Sequence, residues 1–319
     1  MADQEEGCFC TKQAIFNFVK VMAMTLYYII TASIKAILPS GILPKKSVKG
    51  QNVLITGGGS GIGRLMAQEF AKLGVANVVI WDVNTKGANE TVDLLKSTEA
   101  KGHAHTVDIS KKEAIYEAAA KVKKEIGPID ILINNAGIVT GKKLFECDDD
   151  MMELTMAVNT TSHFFTTKTF LPHMLESNRG HIVTIASLAG KSGITGLVDY
   201  CASKFGAVGF SESLGDEIRS LKKDGVHVTT VCPYYIDTGM FTGVKTFSPN
   251  LLPILEPNYV VSKIVEAVLT DAEYLMLPRF GYISVALSGF LPTKAARLLA
   301  EYFGINKTMS AFTGRKKED

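Results

Sequence analysis

From residue 51 onward, short apolar runs alternate with stretches in which apolar residues recur every three or four positions. Strands are expected at Asn52–Thr56, Asn77–Trp81, Ala104–Val107, Ile129–Ile133, His181–Ala186, His227–Cys232 and Tyr274–Leu277. Amphipathic helices are expected between them, among them Gly61–Lys72, Lys111–Ile126 and Met151–Leu175. Nearly continuous apolar strands separated by helices imply a parallel sheet covered on both faces. The fold class is therefore α/β, a doubly wound, seven-stranded parallel sheet in one domain. No internal repeat or low-complexity tract interrupts it.

Two apolar regions lie outside that alternation. Ala14 to Leu38 is close to the ~20 residues that span a bilayer. Gln13, Asn17, Lys20, Tyr27, Thr31 and Lys35 recur at helical spacing within it, with Met24 filling the remaining step. Such a polar stripe leaves crossing the bilayer and lying in its surface equally open. The acidic leader and the lack of a small-residue cleavage site argue against a secretory signal. Beyond Leu277 the chain is apolar again through Tyr282–Leu291 and Leu298–Phe303, either a second membrane-contacting patch beside the mouth of the site or a C-terminal helix that caps the fold. The expected organisation is a tail and membrane anchor over 1–49, the sheet domain over 50–278, and an apolar extension with a charged tail over 279–319.

Composition narrows the function classes. The hydrophobic fraction of 46% fits a membrane-contacting protein. A net charge of +2, with both signs interspersed, lacks the basic footprint of a nucleic-acid binder. Cys8, Cys10, Cys147, Cys201 and Cys232 are odd in number and have no framework spacing, so disulfides are not expected and a reducing, cytosol-facing setting is. His103 and His105 share a strand face, but no third ligand is spaced to complete a metal site.

Chemistry concentrates at the expected carboxyl ends of the strands. Thr56-Gly57-Gly58-Gly59-Ser60-Gly61-Ile62-Gly63 follows the first strand and opens the first domain helix. Glycines there permit a tight turn and a close approach of a pyrophosphate to a helix N-terminus. Asp82, after the second strand, can accept from both ribose hydroxyls and would repel a 2′-phosphate, which favours NAD over NADP; capping the helix that starts at Thr85 is the structural alternative. Tyr200 and Lys204 sit one helical turn apart. A free phenol is a poor base at neutral pH, and a nearby ammonium brings its phenolate within range. Tyr200 can then take the proton of an alcohol while hydride passes to a nicotinamide. Ser187, thirteen residues earlier, is placed to hold the substrate oxygen, and Asn159 to support a water-mediated proton path to the lysine.

Together these residues resemble the short-chain dehydrogenase/reductase family, over about residues 50–278. The glycine motif, Asn134-Asn135-Ala136-Gly137, Ser187, and Tyr200 with Lys204 stand in the family's order and spacing. The resemblance implies a catalytic tetrad of Asn159, Ser187, Tyr200 and Lys204, with Ser187 and Tyr200 on the substrate. It implies dinucleotide contacts from Thr56, Gly57, Gly59, Ser60, Gly61, Ile62 and Gly63, from Asp82, and from Asp108 and Ile109 by the adenine. Asn135, Ala136 and Gly137 would line the cleft, Lys204 would grip the nicotinamide ribose, and Pro233, Ile236 and Thr238 would meet the carboxamide. One departure is Tyr234, where the family usually has glycine after the proline; it puts the local backbone geometry in question.

A narrower resemblance is to the membrane-associated branch that holds epidermal retinol dehydrogenase-like enzymes and certain 17β-hydroxysteroid dehydrogenases. It is carried by Ile133–Lys143, Asp199–Phe205 and Leu251–Pro257, together with the apolar N-terminus. It implies a retinoid or steroid substrate, all-trans-retinol foremost; with Asp82 in place, NAD is the expected cofactor and NADP the alternative. A 17β-hydroxysteroid dehydrogenase, an NADPH-dependent retinal reductase and an inactive lipid-droplet scaffold are the rival readings. The loop 236–257, rich in Phe, Leu, Val and Met, would form an apolar lid. Lys316-Lys317-Glu318-Asp319 resembles a dilysine retrieval signal, so the endoplasmic-reticulum membrane or a lipid-droplet surface is expected. The lysines after Pro44 favour a cytosol-facing domain, on which the sequon Asn89-Glu90-Thr91 stays unmodified. A homodimer paired through the helices near 151–175 and 200–222 is expected from the family alone.

Overall fold

The computed structural model describes residues 2–37 and 42–314, with side chains placed for 12–31 and 42–314. The chain divides into two compact units, Met1–Lys45 and Lys46–Asp319. The first is one helix, α1 (Ala2–Ile37), in which Lys12–Thr31 is long and apolar enough by composition to cross a membrane. No described residue of that span is buried, and Phe16, Val19, Leu26 and Ile30 stand half or more exposed. The side chains of Cys8 and Cys10 and the Lys316–Asp319 tail lie outside the described residues.

The second unit carries β1 (Asn52–Thr56), α2 (Gly61–Lys72), β2 (Asn77–Asp82), α3 (Thr85–Leu95), β3 (Lys101–Thr106), α4 (Lys112–Glu125) and β4 (Ile131–Asn134). There follow α5 (Asp149–Met156), α6 (Ser162–Ser177), β5 (Gly180–Ile185), α7 (Val198–Ser220), β6 (Val226–Pro233), α8 (Pro257–Leu269) and β7 (Tyr274–Leu277). Two further helices close the unit, α9 (Phe280–Phe290) and α10 (Thr293–Tyr302). All seven strands pair in parallel in the order β3-β2-β1-β4-β5-β6-β7. The order reverses between β1 and β4, and the crevice for a ligand opens outside the carboxyl ends at such a switch point.

Alternation along each strand divides the core into two layers. Val53, Ile55, Ile131, Ile133, Val183 and Val231 point one way, onto Met66 and Phe70 of α2 and Val260, Ile264 and Val268 of α8. Leu54, Val79, Trp81, Leu132 and Ile182 point the other way, onto Ile115 and Val122 of α4 and Phe170 and Met174 of α6. β4 and β5 are buried along their whole length, as strands covered on both faces must be.

Three elements differ from the pattern-based expectation by more than one residue at a boundary. β3 starts at Lys101 rather than Ala104, because an edge strand can carry Lys, Gly and His on a half-wet face that apolar counting misses. β4 starts at Ile131 because the Asp130 carboxylate turns to the Asn52 N–H (2.9 Å) and the Arg179 guanidinium (2.7 Å). The expected helix over 151–175 is instead α5, a π-helical turn at Ala157–Thr161, and α6.

Candidate active site

The glycine loop between β1 and α2 is braced from both sides. Behind it, Arg64 Nη2 donates to the Gly59 carbonyl at 2.6 Å and the Gly87 carbonyl at 3.2 Å, and pairs with Glu90 at 2.9 Å. In front, the Asn135 side-chain amide donates to the carbonyls of Thr56 (2.9 Å) and Gly57 (3.1 Å), while Thr56 Oγ1 accepts from the Asn135 and Ala136 N–H groups. A Cβ on Gly63 would collide with the Gly57 carbonyl, so the loop can close only with glycine there. α2 has no acidic side chain in its first turn, which leaves its positive end facing the cleft for an external anion. The residues present therefore fit a dinucleotide pyrophosphate.

Asp82, at the end of β2, accepts from Gly59 N–H (2.8 Å) through one oxygen and Asn84 N–H (2.9 Å) through the other. The cap of α3 is Asn84, which accepts from Gly87 N–H at 3.0 Å, so Asp82 is not the helix cap. Its carboxylate is fixed by two backbone donors at the lip of the cleft, and the one arginine close by, Arg64, is committed to the back of the loop. Asp108 lies across from it, held by Ser110 and Lys111, and Ile109 lines the same end.

The reactive end is assembled from β5, β6 and α7. Ser187 follows β5; its hydroxyl donates to the Pro233 carbonyl (3.3 Å), accepts from Ala189 N–H (3.1 Å) and neighbours the Tyr200 phenol. Tyr200 and Lys204 face the same cleft, with Lys204 Nζ 5.7 Å from the Tyr200 ring centroid. Lys204 Nζ donates to the Ile185 carbonyl at 2.8 Å, and burial lowers its pKa to about 8. Burial also pushes the Tyr200 phenol above its usual value, against the pull of Ser187. The ammonium at this distance does not by itself outweigh burial, so the phenol is protonated here.

Asn159 sits in the π-helical turn and is fully buried. Its Oδ1 accepts from Ile138 N–H (2.8 Å), and its amide donates to the Ile138 carbonyl (2.9 Å) and Ser203 Oγ (3.0 Å). Every polar atom of the side chain is thus taken by protein, which makes it a stitch between the loop after β4 and α7. A π turn at such a place is a recurrent mark of a functional site, since the extra residue re-aims a side chain. Gly137 lies between Asn159 and Lys204, where a Cβ would stand 3.5 Å from Lys204 Nζ.

Tyr234 does not disturb the backbone as its departure from the glycine pattern suggested. Its N–H donates to the Leu277 carbonyl at 2.7 Å, extending the β6–β7 ladder, and its ring packs on Tyr235 in the core. Ile236 and Thr238 follow along the cleft, and Ile236 bridges to Leu255. The loop 236–257 places Met240, Phe241 and Leu252 on the cavity, with Val244, Leu252 and Leu255 buried. Asp199, just before Tyr200, receives the Thr140 hydroxyl at 2.9 and 2.7 Å and pins the start of α7.

One cavity of about 870 Å³ runs from the glycine loop past Tyr200 to the inner faces of α9 and α10. Phe280, Leu287, Leu291, Leu299, Phe303 and Ile305 line its far half. Sequence reasoning put these residues in an apolar extension beside the site rather than in its lining; Phe280, Ser284, Leu287 and Ser288 recur at helical spacing on α9, a pattern that reads equally as a lipid-facing or a capping face. It also missed Arg64 and the bracing role of Asn135.

The pattern of the short chain dehydrogenase family matches residues 51–248, and the chain belongs to that family. It is an NAD(P)-dependent oxidoreductase acting on CH–OH groups. Among its relatives, epidermal retinol dehydrogenase 2 of Homo sapiens is 49% identical over 298 residues, covering 93% of this chain and 95% of the relative. Retinol dehydrogenase 10 of Rattus norvegicus is 41% identical over 331 residues, covering 95% and 96%. A short chain dehydrogenase/reductase from Burkholderia phymatum, solved in complex with NAD, superposes with a TM-score of 0.69 at 26% identity, over 77% of this chain and 95% of that one. A metagenomic short-chain oxidoreductase solved with NADP gives 0.61 at 26% identity, over 73% and 98%.

Proposed function

We propose that this chain is a membrane-anchored, NAD-preferring dehydrogenase of lipophilic alcohols, with all-trans-retinol oxidised to retinal as its reaction. The observation that carries the reading is the cavity itself: an apolar chamber leads from Ser187 and Tyr200 to α9 and α10, deep enough for a long apolar alcohol. Relatives named as retinol dehydrogenases at 40–49% identity support the same substrate class.

A nicotinamide dinucleotide supplies the hydride acceptor and, when oxidised, a positive ring. Within that frame Ser187 holds the substrate oxygen and Tyr200 Oη takes its proton. Lys204 binds the nicotinamide ribose and, with the ring's charge, draws the phenol down into working range. Asn159 keeps Ser203, and through it the Tyr200 backbone carbonyl (2.8 Å), in place. Thr56 and the glycines to Gly63 seat the pyrophosphate, Asp82 the adenosine ribose, and Pro233 to Thr238 the carboxamide.

Membrane attachment is assigned to α1. The exposed apolar residues Ile283, Phe290, Leu298 and Tyr302, the last 83% exposed, give α9 and α10 a second lipid-facing surface. The endoplasmic reticulum or a lipid droplet, with the second unit in the cytosol, is the proposed location. Phe164 and Phe205, about half exposed on α6 and α7, suit the face of a homodimer.

The test is turnover by the full chain in reconstituted vesicles, given all-trans-retinol or estradiol with NAD or NADP. Retinol with NAD is expected to be fastest. Fastest turnover of estradiol would move the assignment to a steroid dehydrogenase. No cofactor reduction with any lipid alcohol would sink the reading in favour of an inactive scaffold.

A further inference from the structure

The wall nearest Tyr200 is built partly from the far end of the chain. Phe241 meets the Tyr200 ring edge-on, with centroids 5.7 Å apart and planes at 82°, and Tyr235 meets Phe241 in the same manner at 5.0 Å. Behind them runs the segment after α10. The buried hydroxyls of Tyr235 and Thr308 are hydrogen bonded at 3.0 Å, and Phe312 lies 6.4 Å from Phe241. The backbone is fastened as well: Lys245 N–H donates to the Thr308 carbonyl (3.1 Å) and Thr313 N–H to the Thr242 carbonyl (2.9 Å).

Room for this segment is made by glycines. Gly141, at φ +66, has the Phe312 ring where a Cβ would be, and Gly243, at φ +87, has the Ala311 carbonyl there. Met309 lies against Gly196, just before α7. The segment is therefore pinned to three loops that all border Tyr200: the one after β4, the one before α7 and the one after β6. A terminal piece that only capped the fold would have no need to meet all three.

We propose that residues 305–313 form a built-in wall of the substrate pocket, with Thr308 and Phe312 as positioning residues. They act through Tyr235 and Phe241, and they set how a bulky apolar alcohol approaches the Tyr200 hydroxyl. The inference rests on the reading of this cleft as a lipid-alcohol dehydrogenase site. A long rigid alcohol fills the cavity and senses the wall, whereas a small one with the same allylic head does not. Loss of the wall must then alter discrimination between alcohols rather than dinucleotide binding.

The experiment compares all-trans-retinol with prenol, with NAD, on the full chain in vesicles. Phe312→Ala is expected to lower the retinol-to-prenol ratio of kcat/KM on the order of tenfold, with the KM for NAD held. Thr308→Val shifts the ratio the same way by less, and Thr308→Ser, which keeps the hydroxyl, restores it. An unchanged ratio in Phe312→Ala, or equal effects of the valine and serine variants, overturns the proposal. Hydrogen exchange supplies a readout independent of turnover: the Lys245 and Thr313 amides should exchange on the order of tenfold faster in Phe312→Ala and Thr308→Val. Unchanged exchange refutes the wall; altered exchange in a chain that oxidises neither alcohol leaves the wall standing and removes the function.

Discussion

Replacing Asn159 by alanine tests whether its place in the site is structural. The side chain makes three hydrogen bonds of 2.8–3.0 Å, all to protein, and it is fully buried. Truncation leaves the N–H and carbonyl of Ile138 and one acceptor site on Ser203 without partners. Each buried group left unpaired costs about 1–3 kcal/mol. The space vacated by the amide is polar and accepts a water that can serve two of the three groups. The net loss is therefore about 2–4 kcal/mol rather than the full sum. At about 2–4 °C per kcal/mol for a unit of this size, the melting midpoint should fall by about 5–15 °C. Differential scanning of the detergent-solubilised full chain reads this directly. Turnover at a temperature where the variant remains folded should also fall, since Ser203 no longer holds the Tyr200 carbonyl as firmly. An Asn159→Ala protein that melts within about 1 °C of the parent, yet has lost turnover, would refute the stitch and assign the residue to proton transfer alone.

Other predictions concern the titrating groups. Tyr200→Phe should lower turnover about 10²–10⁴-fold while dinucleotide affinity stays level, as stopped-flow and fluorescence titration can establish. Lys204 is depressed by burial to about 8, so the free site loses its ammonium as pH rises through that value. Dinucleotide affinity should weaken above it with proton uptake on binding, and Lys204→Arg should abolish that uptake in calorimetry run in two buffers. His163 is pushed down to about 3, by burial first and then by Lys204, against 6.5 when unfolded. Its folded value lies below the unfolded one, so its share of stability is whole above pH 6.5 and is lost as pH falls toward 3. The loss is about 1.4 kcal/mol per pH unit, and urea midpoints at several pH values should fall less steeply for His163→Phe; an identical slope would exclude it.

Much of the fold could be read from period alone. α2 and β1 have the expected bounds because both are strongly patterned and end in unambiguous signals, the glycine run and Lys72. The edge strand β3 and the break in α5–α6 escaped, since an edge mixes polar with apolar residues and a π turn shifts phase without changing composition. Within the site, Tyr200 and Lys204 were expected on one face, and the structure places both side chains on the same cleft. What could not be foreseen was the balance on the phenol, because burial opposes ionisation and depends on Phe241 and Tyr235, forty-one and thirty-five residues away. Asn135 lines the cleft, and its amide is in addition spent on the loop beside it.

The posture of Arg64 bears on how such an enzyme could be redesigned. On the proposed reading, with the guanidinium tied behind the glycine loop, deleting the Asp82 carboxylate would remove a repulsion of a 2′-phosphate without providing an attraction, and would also free the Gly59 N–H. A phosphorylated cofactor would need a cation imported at the strand exit, where Val83 is 66% exposed and lines the adenosine end. Reaching instead for Arg64 would loosen the very loop that has to hold the pyrophosphate. On that reading, coenzyme choice turns on the side chain carried at position 83, with the brace behind left alone.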